Sequence, residues 1–293
     1  MSELIAQTAA AQTIGTRDRQ EDAVVAYASD DGGPALAILS DGMGGHDDGD
    51  LASRVIASEM FSEIFIAAAR LGTFCDHAPQ VFRAALNCAN QRLSHHIQAG
   101  RINKNTGGTL ICATVLDGTL RWLSVGDSWL YVFRQGQLTQ LNETHSFARQ
   151  LDQMVENDLI DAQAALNHPD RNCLTSAVTG SEIPKVDCPD RGYKLAPDDI
   201  VILASDGIDI LGPHEVRKSL RRTQAKSSAK IARSLLQTVR AKDAADQDNS
   251  SVIVIKMQRA DVKRAGNWLG LRQCWNTIST QARTWANPER VRT

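Results

Sequence analysis

An α+β fold is predicted for this 293-residue chain by three features of its sequence. Strand-like runs outnumber helices, the helices come in pairs between groups of strands, and several strand runs are joined by turns too short for a parallel crossover. In chain order the first strong strand signal is "ALAILSD", Ala35 to Asp41, which leads into the acidic Gly-rich loop "GMGGHDDGD". A helix follows, with Leu51, Val55, Ile56, Met60, Ile64 and Phe65 spaced for one face and Asp50 placed to cap it. The next helix sets Val81, Phe82, Ala85, Leu86, Ala89, Leu93 and Ile97 on one face. Three β-type runs come after it, Thr109 to Asp117, Leu120 to Asp127 and Leu130 to Leu141, with "DGT" and "QGQ" as tight turns. Residues 145–172 are polar, contain helix-like pieces such as "DAQAALNH" and interrupt the strands, so they read as an inserted surface segment. Two last strands, Ile200 to Asp206 and Ser251 to Met257, enclose a helical stretch over about Ser228 to Ala241.

Composition excludes several functions. A formal net charge of −2 argues against a nucleic-acid binder that works through a basic face. The first residues lack a basic region followed by an apolar core, and no segment approaches the roughly 20 apolar residues of a membrane span. The six cysteines are scattered with no C-x-x-C pair, which points to a reducing, cytoplasmic setting and no zinc ribbon.

Acidic residues recur where strands begin or end: Glu21 and Asp22, Asp41, Asp127, Asp206 and Asp248. A single Asp-Gly after a strand is most often a turn, because Gly supplies positive φ and Asp bonds its own backbone. A sheet that gathers several such strand ends masses negative charge, and like charges at close range must protonate or find cations. Oxygen donors without His or Cys at ligand spacing select Mg²⁺ or Mn²⁺ over Zn²⁺. Two such ions about 4 Å apart can generate a nucleophile from water and neutralise a phosphoryl group. Gly42 and Gly207 suit this picture, since a glycine carbonyl can approach an ion or its water directly.

The ordered motifs "RDRQED", "DGMGGH", "GGT", "VGDS", "THS", "HPDRNCLTSAVTG", "ASDGI" and "DNSS" resemble the metal-dependent protein phosphatases of the 2C family, most closely the bacterial members. The resemblance runs from about Ile14 to Met257. It implies a central β-sandwich of two antiparallel sheets flanked by α-helices on both sides, and a Mg²⁺/Mn²⁺ pair at one end of it. Carried over by position, Asp22 and Asp41 would be ligands of the pair, with Asp41 bridging and the Gly42 carbonyl contributing. Glu21 would act through water, Asp206 and Asp248 would complete the set, and Asp127 with Asp206 would form a weaker third site. Arg17 would grip the phosphate in its guanidinium fork, a geometry lysine cannot copy. The implied reaction is hydrolysis of phosphoserine or phosphothreonine by hydroxide held between the two ions, without a phosphoenzyme, on proteins phosphorylated by a Ser/Thr kinase. Two alternatives stay open: a non-catalytic binding module on the same fold, and a phosphatase of a partner-switching regulator.

The chain departs from the family at several points. Gln20 stands where Asn is common, and "GDSW" places Trp129 where Arg is usual, either packing or altering the third metal site. Met43 and His46 follow the bacterial pattern, which makes His46 a candidate general acid beside a structural reading. Asp47 and Asp48 read as solvated loop charges. His145 begins the segment that matches the family's variable flap; His168 and Arg171, at its far edge, suit fold stabilisation at least as well as substrate contact. Residues 258–293 lie outside the resemblance, giving a catalytic domain over 1–257 and a basic tail. In the tail Trp268, Leu271, Trp275, Ile278, Ala282 and Trp285 follow three-four spacing. Such a stretch suits weak contact with an anionic membrane or a partner helix, while Gly266, Asn267 and Gly270 weaken any long helix and favour a tail that packs on the domain's own surface or frays. A monomer is expected.

Overall fold

The computed structural model describes residues 4–29, 33–44, 48–68, 71–171 and 173–259. The chain begins with β1 (Leu4–Thr13), β2 (Asp22–Ala28) and β3 (Ala35–Met43), followed by the paired helices α1 (Gly49–Ala68) and α2 (Leu71–Gln98). Then come β4 (Gly107–Gly108), β5 (Leu110–Leu116), β6 (Thr119–Val125), β7 (Trp129–Arg134) and β8 (Gln137–Gln140). The inserted segment forms α3 (Phe147–Glu156) and α4 (Ala162–Leu166) before β9 (Tyr193–Lys194) and β10 (Ile200–Ala204). A 3₁₀ turn (Asp206–Leu211), α5 (Gly212–Thr223), α6 (Ser228–Arg240) and β11 (Ser250–Arg259) complete the described chain.

Two sheets result, with strand orders β1-β11-β10-β7-β8 and β2-β3-β5-β6-β9 and with β4 pairing to β3. Every pairing is antiparallel. Alternation along the strands explains the layers. Ala35, Ala37 and Leu39 of β3 and Ile111 and Ala113 of β5 meet Val201, Leu203, Ile253 and Ile255 of the other sheet. The intervening Leu36, Ile38, Leu110 and Cys112 face α1 and α2, while Ile200, Ile202, Val252 and Val254 face α5 and α6. Both faces of these strands are therefore apolar, and the α-β-β-α layering is the expected one. Among the described residues no helix is long and apolar enough to cross a membrane. The described cysteines Cys88, Cys112, Cys173 and Cys188 are free thiols.

The differences from the sequence reading are local. β1, "LIAQTAAAQT", has no alternating pattern and weak strand propensity, yet it pairs with β11 from Leu4↔Arg259 to Thr13↔Ser250. Ten residues of pairing against a buried strand override intrinsic preference. The helix α5 carries only a narrow apolar stripe, Val216 and Leu220, amid charge, which hides it from a periodicity reading. In α1 the buried face is Ala52, Ile56, Met60 and Ile64, whereas Leu51 and Phe65 are 40% and 43% exposed. Phe65 instead stacks on Phe61 at 5.2 Å and meets Tyr27 edge-on at 5.3 Å. Asp50 is not the cap either. The Asp48 carbonyl accepts the first helical N–H groups, from Leu51 and Ala52, and Asp50 sits inside the first turn, where it pairs with Arg54 at 3.2 Å.

A buried ion pair pins β7 to the turn before β10. Arg134 donates from Nε and Nη2 to Asp199 at 2.9 and 2.6 Å, and the Asp199 side chain is only 2% exposed. Arg134→Ala is expected to cost about 2 kcal/mol, below the roughly 3–5 kcal/mol of a fully buried pair because Arg134 is itself partly solvated. A urea unfolding midpoint measures it.

Candidate metal centre

The antiparallel registers bring particular strand ends to one end of the sandwich. Asp22 opens β2 and is the register partner of Asp41 near the end of β3. From the other sheet, β10 ends at Ala204 and runs into Ser205 and Asp206, Asp248 precedes β11, and Asp127 lies in the turn between β6 and β7. Seven residues singled out in the sequence, Arg17, Glu21, Asp41, Gly42, Asp127, Asp206 and Asp248, line one cavity of about 800 Å³. Asp22 sits beside it, 6% exposed.

Backbone and side-chain ties fix this wall. The Asp41 N–H donates to Thr109 Oγ1 at 3.1 Å, and Thr109 Oγ1 bonds Ser128 Oγ at 2.9 Å. Asn249 organises the loop bearing Arg17 and Glu21: its Oδ1 accepts from the Glu21 N–H at 2.7 Å, and its Nδ2 donates to the carbonyls of Ile14 and Arg19. A Cβ on Gly42 would lie 2.1 Å from the Gly49 carbonyl oxygen, and one on Gly207 would lie 2.0 Å from that of Asn249. Only glycine permits so close an approach of the chains. One oxygen of Asp22, Oδ2, accepts from Ser205 and Ser251, whereas Oδ1 is buried without a partner.

The electrostatics follow from this crowding. Burial pushes the Asp22 carboxyl up to about 6, against the hydrogen bonds from Ser251 and Ser205 that favour its ionised form, with Asp206 and Asp248 adding repulsion. Asp41 is held well above the ordinary carboxylate range by burial and then by Asp22 and Asp206. Asp127 rises to about 7 through burial and Asp206. Burial and Asp248 raise Asp206, and burial and Asp50 raise Glu21. Arg17 is the single cation among the described residues lining the cavity, and it is already paired to Asp248, Nη2 to Oδ2 at 2.7 Å.

These features suit hard divalent cations. The donors are carboxylates, repelling one another in a partly desolvated site, with an unpaired oxygen on Asp22. Among the described residues no three His, Cys, Asp or Glu side chains close on a single point.

Stability of the metal-free protein should carry the signature of this repulsion. The raised folded-state pKa values mean that the native state binds more protons than the unfolded chain, so the stabilisation is complete below the unfolded values near pH 4 and is lost as pH rises through about 6 for Asp22 and about 7 for Asp127. His145, whose pKa burial lowers, acts oppositely at acid pH, which makes the window above pH 6.5 the informative one. In EDTA the protein is expected to lose roughly 1 kcal/mol, or about 3 °C of Tm, between pH 6.5 and 8 through these two groups. Saturating Mn²⁺ should abolish that loss, because the ligands bind metal only when deprotonated. Thermal unfolding with and without Mn²⁺ reads both.

The protein phosphatase 2C family model matches residues 11–248 of the chain. The chain belongs to the protein phosphatase 2C family. Among its curated relatives, the serine/threonine phosphatase stp of Listeria monocytogenes is 28% identical over 244 residues, 82% of this chain and 91% of that one. The crystal structure of the Mycobacterium tuberculosis serine/threonine phosphatase PstP/Ppp superposes with a TM-score of 0.71 at 24% identity, covering 87% of this chain and all of that one. The catalytic domain of PstP in complex with two manganese ions gives a TM-score of 0.66, again at 24% identity over 87% of this chain and 99% of that one.

The remaining departures from the protein phosphatase 2C pattern find physical places. Gln20 accepts from the Asp22 N–H at 3.0 Å and donates to the Thr13 carbonyl at 3.2 Å, helping to set the start of β2. Trp129 packs: its ring stacks on Tyr131 at 5.5 Å, and its buried indole N–H, outside hydrogen-bond range of any partner, faces the Asp209 carboxylate. His145 is buried and ties the inserted segment to the site, accepting on Nδ1 from the Gly126 N–H at 3.1 Å. Arg171 pairs with Asp152 at 2.9 Å, and His168 meets Phe147 at 5.1 Å, so both hold the inserted segment together. Asp48 is not a purely solvated charge, since it accepts from the Asn103 N–H at 3.0 Å. His46, Asp47 and the tail from residue 260 lie outside the described residues. Thr109, Asn249, Ser205 and Ser251 carry the site's hydrogen bonds and were not singled out in the sequence, although the motifs "GGT", "ASDGI" and "DNSS" contain all four.

Proposed function

We propose that this phosphatase hydrolyses phosphoserine and phosphothreonine in proteins at a Mg²⁺/Mn²⁺ pair held by Asp22, Asp41, Asp206 and Asp248, opposing a Ser/Thr kinase in the cytoplasm. The observation that carries it is the convergence of buried, mutually repelling carboxylates from both sheets on one cavity, with Arg17 at its wall. Asp41 would be shared between the ions, the Gly42 carbonyl and a water on Glu21 would complete them, and Asp127 with Asp206 would take a weaker third ion. Divalent ions bound there make water nucleophilic at neutral pH and neutralise phosphoryl charge.

The chain's own groups do the rest. Arg17 offers five fixed N–H donors, enough to orient the phosphate while keeping one bond to Asp248. Thr109, Ser128 and Asn249 hold the carboxylate-bearing backbone in place before substrate arrives, which limits reorganisation during reaction. The strip from Cys173 to Ala177 forms part of the opposite wall, where the residues flanking the phosphorylated one would lie. His46 is the proposed proton donor to the leaving serine or threonine oxygen.

The catalytic domain is taken as residues 1–257. β11 closes the sheet at Arg259, just beyond that boundary, and the family match ends at Asp248. For the tail, liposome binding before and after truncation at Met257 separates membrane contact from self-packing; unchanged binding removes the membrane role. The function itself is tested by hydrolysis of p-nitrophenyl phosphate and a phosphothreonine peptide. Turnover is expected with Mn²⁺ and none in EDTA, and a folded protein inactive on both with Mn²⁺ would favour the non-catalytic binding module.

A further inference from the structure

We infer that the outer face of α5 and α6 is a docking surface for an anionic phospholipid bilayer. Residues 212–242 hold nine lysines and arginines against one acidic residue, Glu215. Their net charge is +8 in a chain whose total is −2, so the other residues together carry −10. Helical periodicity puts this charge on one side. In α5, Val216, Ser219 and Leu220 are buried while Lys218, Arg221 and Arg222 are exposed. In α6, Ile231, Leu235 and Val239 are buried while Lys230, Arg233 and Arg240 are exposed. Lys226, in the connection between the two helices, is exposed as well.

Helix chemistry does not account for this charge. Arg221, Arg222 and Arg240 stand in last turns, where a cation complements the helix dipole. Lys230, however, stands in the first turn of α6, which has no acidic residue, and there the dipole disfavours a cation. Lys218 and Arg222 are like charges one turn apart, an arrangement that weakens α5 slightly. The fold does not neutralise the face either. Among the described residues, only Lys242 of the nine has a carboxylate partner, Glu215 at 2.7 Å. Arg221 and Arg240 are tied to the Gly136 carbonyl and the Thr13 hydroxyl, both uncharged.

The chain's own tail is a poor occupant, because residues 260–293 are themselves basic, with six lysines and arginines against two acidic residues. The tail does begin beside the face. Lys256 Nζ, near the end of β11, donates to the carbonyls of Gln224 and Lys226 in the α5–α6 connection at 2.7 and 2.9 Å. The strand ends three residues later at Arg259, roughly 10 Å further on. A basic face joined to a basic segment that bears Trp268, Trp275 and Trp285 combines electrostatic attraction with side chains suited to the headgroup level. Firm attachment to a membrane surface takes two such signals. Lipid headgroups present a smeared charge that needs no matched geometry. Single-stranded nucleic acid needs aromatic platforms for its bases, and residues 212–242 contain no Phe, Tyr or Trp. No residue of α5 or α6 lines the metal cavity, so docking leaves it open.

Co-sedimentation of the full chain with vesicles tests this. Binding is expected to phosphatidylcholine vesicles containing one third phosphatidylglycerol and not to phosphatidylcholine alone. K218Q/R222Q/K230Q removes three charges that make no ion pair and should weaken binding about 100-fold, about fivefold per charge. R92Q/R101Q/R191Q removes as much charge from exposed positions away from α5 and α6 and should change binding less than about twofold, because screening confines the attraction to about 10 Å. Hydrolysis of p-nitrophenyl phosphate in solution should be the same for K218Q/R222Q/K230Q as for the wild type, which shows that the variant is folded. A full chain that ignores the anionic vesicles would overturn the proposal. So would a K218Q/R222Q/K230Q variant that binds as the wild type does, which assigns binding to the tail alone, or an equal loss in R92Q/R101Q/R191Q. Tighter retention of a short DNA duplex than of the vesicles at the same salt would overturn it in favour of nucleic acid.

Discussion

Asp41→Asn should reduce Mn²⁺-dependent turnover of a phosphothreonine peptide at least about 10³-fold, equivalent to roughly 4 kcal/mol of transition-state stabilisation, and should stabilise the metal-free protein. Asp41 is the register partner of Asp22 and feels the charges of Asp206, Asp127 and Asp248. An amide fills the same volume, but it cannot bridge two cations. It also removes one charge from a site where burial and repulsion raise every carboxyl that shifts. About 1 kcal/mol of added stability in EDTA is expected, read as a higher Tm. A centre held together by its own packing would show the opposite, a loss of stability with the loss of activity.

Arg17→Ala should lower kcat/KM about 10²-fold, the value of a charge-assisted pair to phosphate at roughly 2–3 kcal/mol. Arg17→Lys should recover little, because an ammonium cannot reproduce the planar fork. Mn²⁺ affinity should not fall in either variant. In Arg17→Ala it should rise slightly, since Asp248 is released from its 2.7 Å contact with Arg17. Steady-state kinetics and calorimetry on the same preparation separate the two effects, and a parallel loss of Mn²⁺ binding would place Arg17 in the scaffold of the site.

The α+β class was legible in the paired helices and the short links between strands, while the sandwich layers came from the family resemblance; in the structure β3, β5, β10 and β11 are apolar on both faces, one facing the other sheet and one facing helices. β1 escaped notice because its small residues gain their strand character from pairing with β11, a partner at the far end of the chain. The acidic residues were legible as a set, since Asp22, Asp41, Asp127, Asp206 and Asp248 recur at strand ends and in a motif order. Their supports were not. Ser205 and Ser251 look like ordinary strand-end residues in sequence, and they reach Asp22 across separations of 183 and 229 positions, which no local spacing reveals. Asp50 looked like a cap because it precedes the apolar run, but the helix starts two residues earlier in its hydrogen bonding, on the Asp48 carbonyl. Trp129 was read as packing or as a disturbance of the third site, and its stack on Tyr131 accounts for it as packing.

The measurement that bears most directly on the metal centre is Mn²⁺ occupancy followed together with phosphothreonine-peptide hydrolysis in one titration. Two ions per chain are expected to bind, with hydrolysis rising as the sites fill and disappearing with EDTA or in Asp206→Asn. Hydrolysis that persists in EDTA, or full activity in Asp206→Asn, would contradict a catalytic role for the carboxylates at this end of the sandwich.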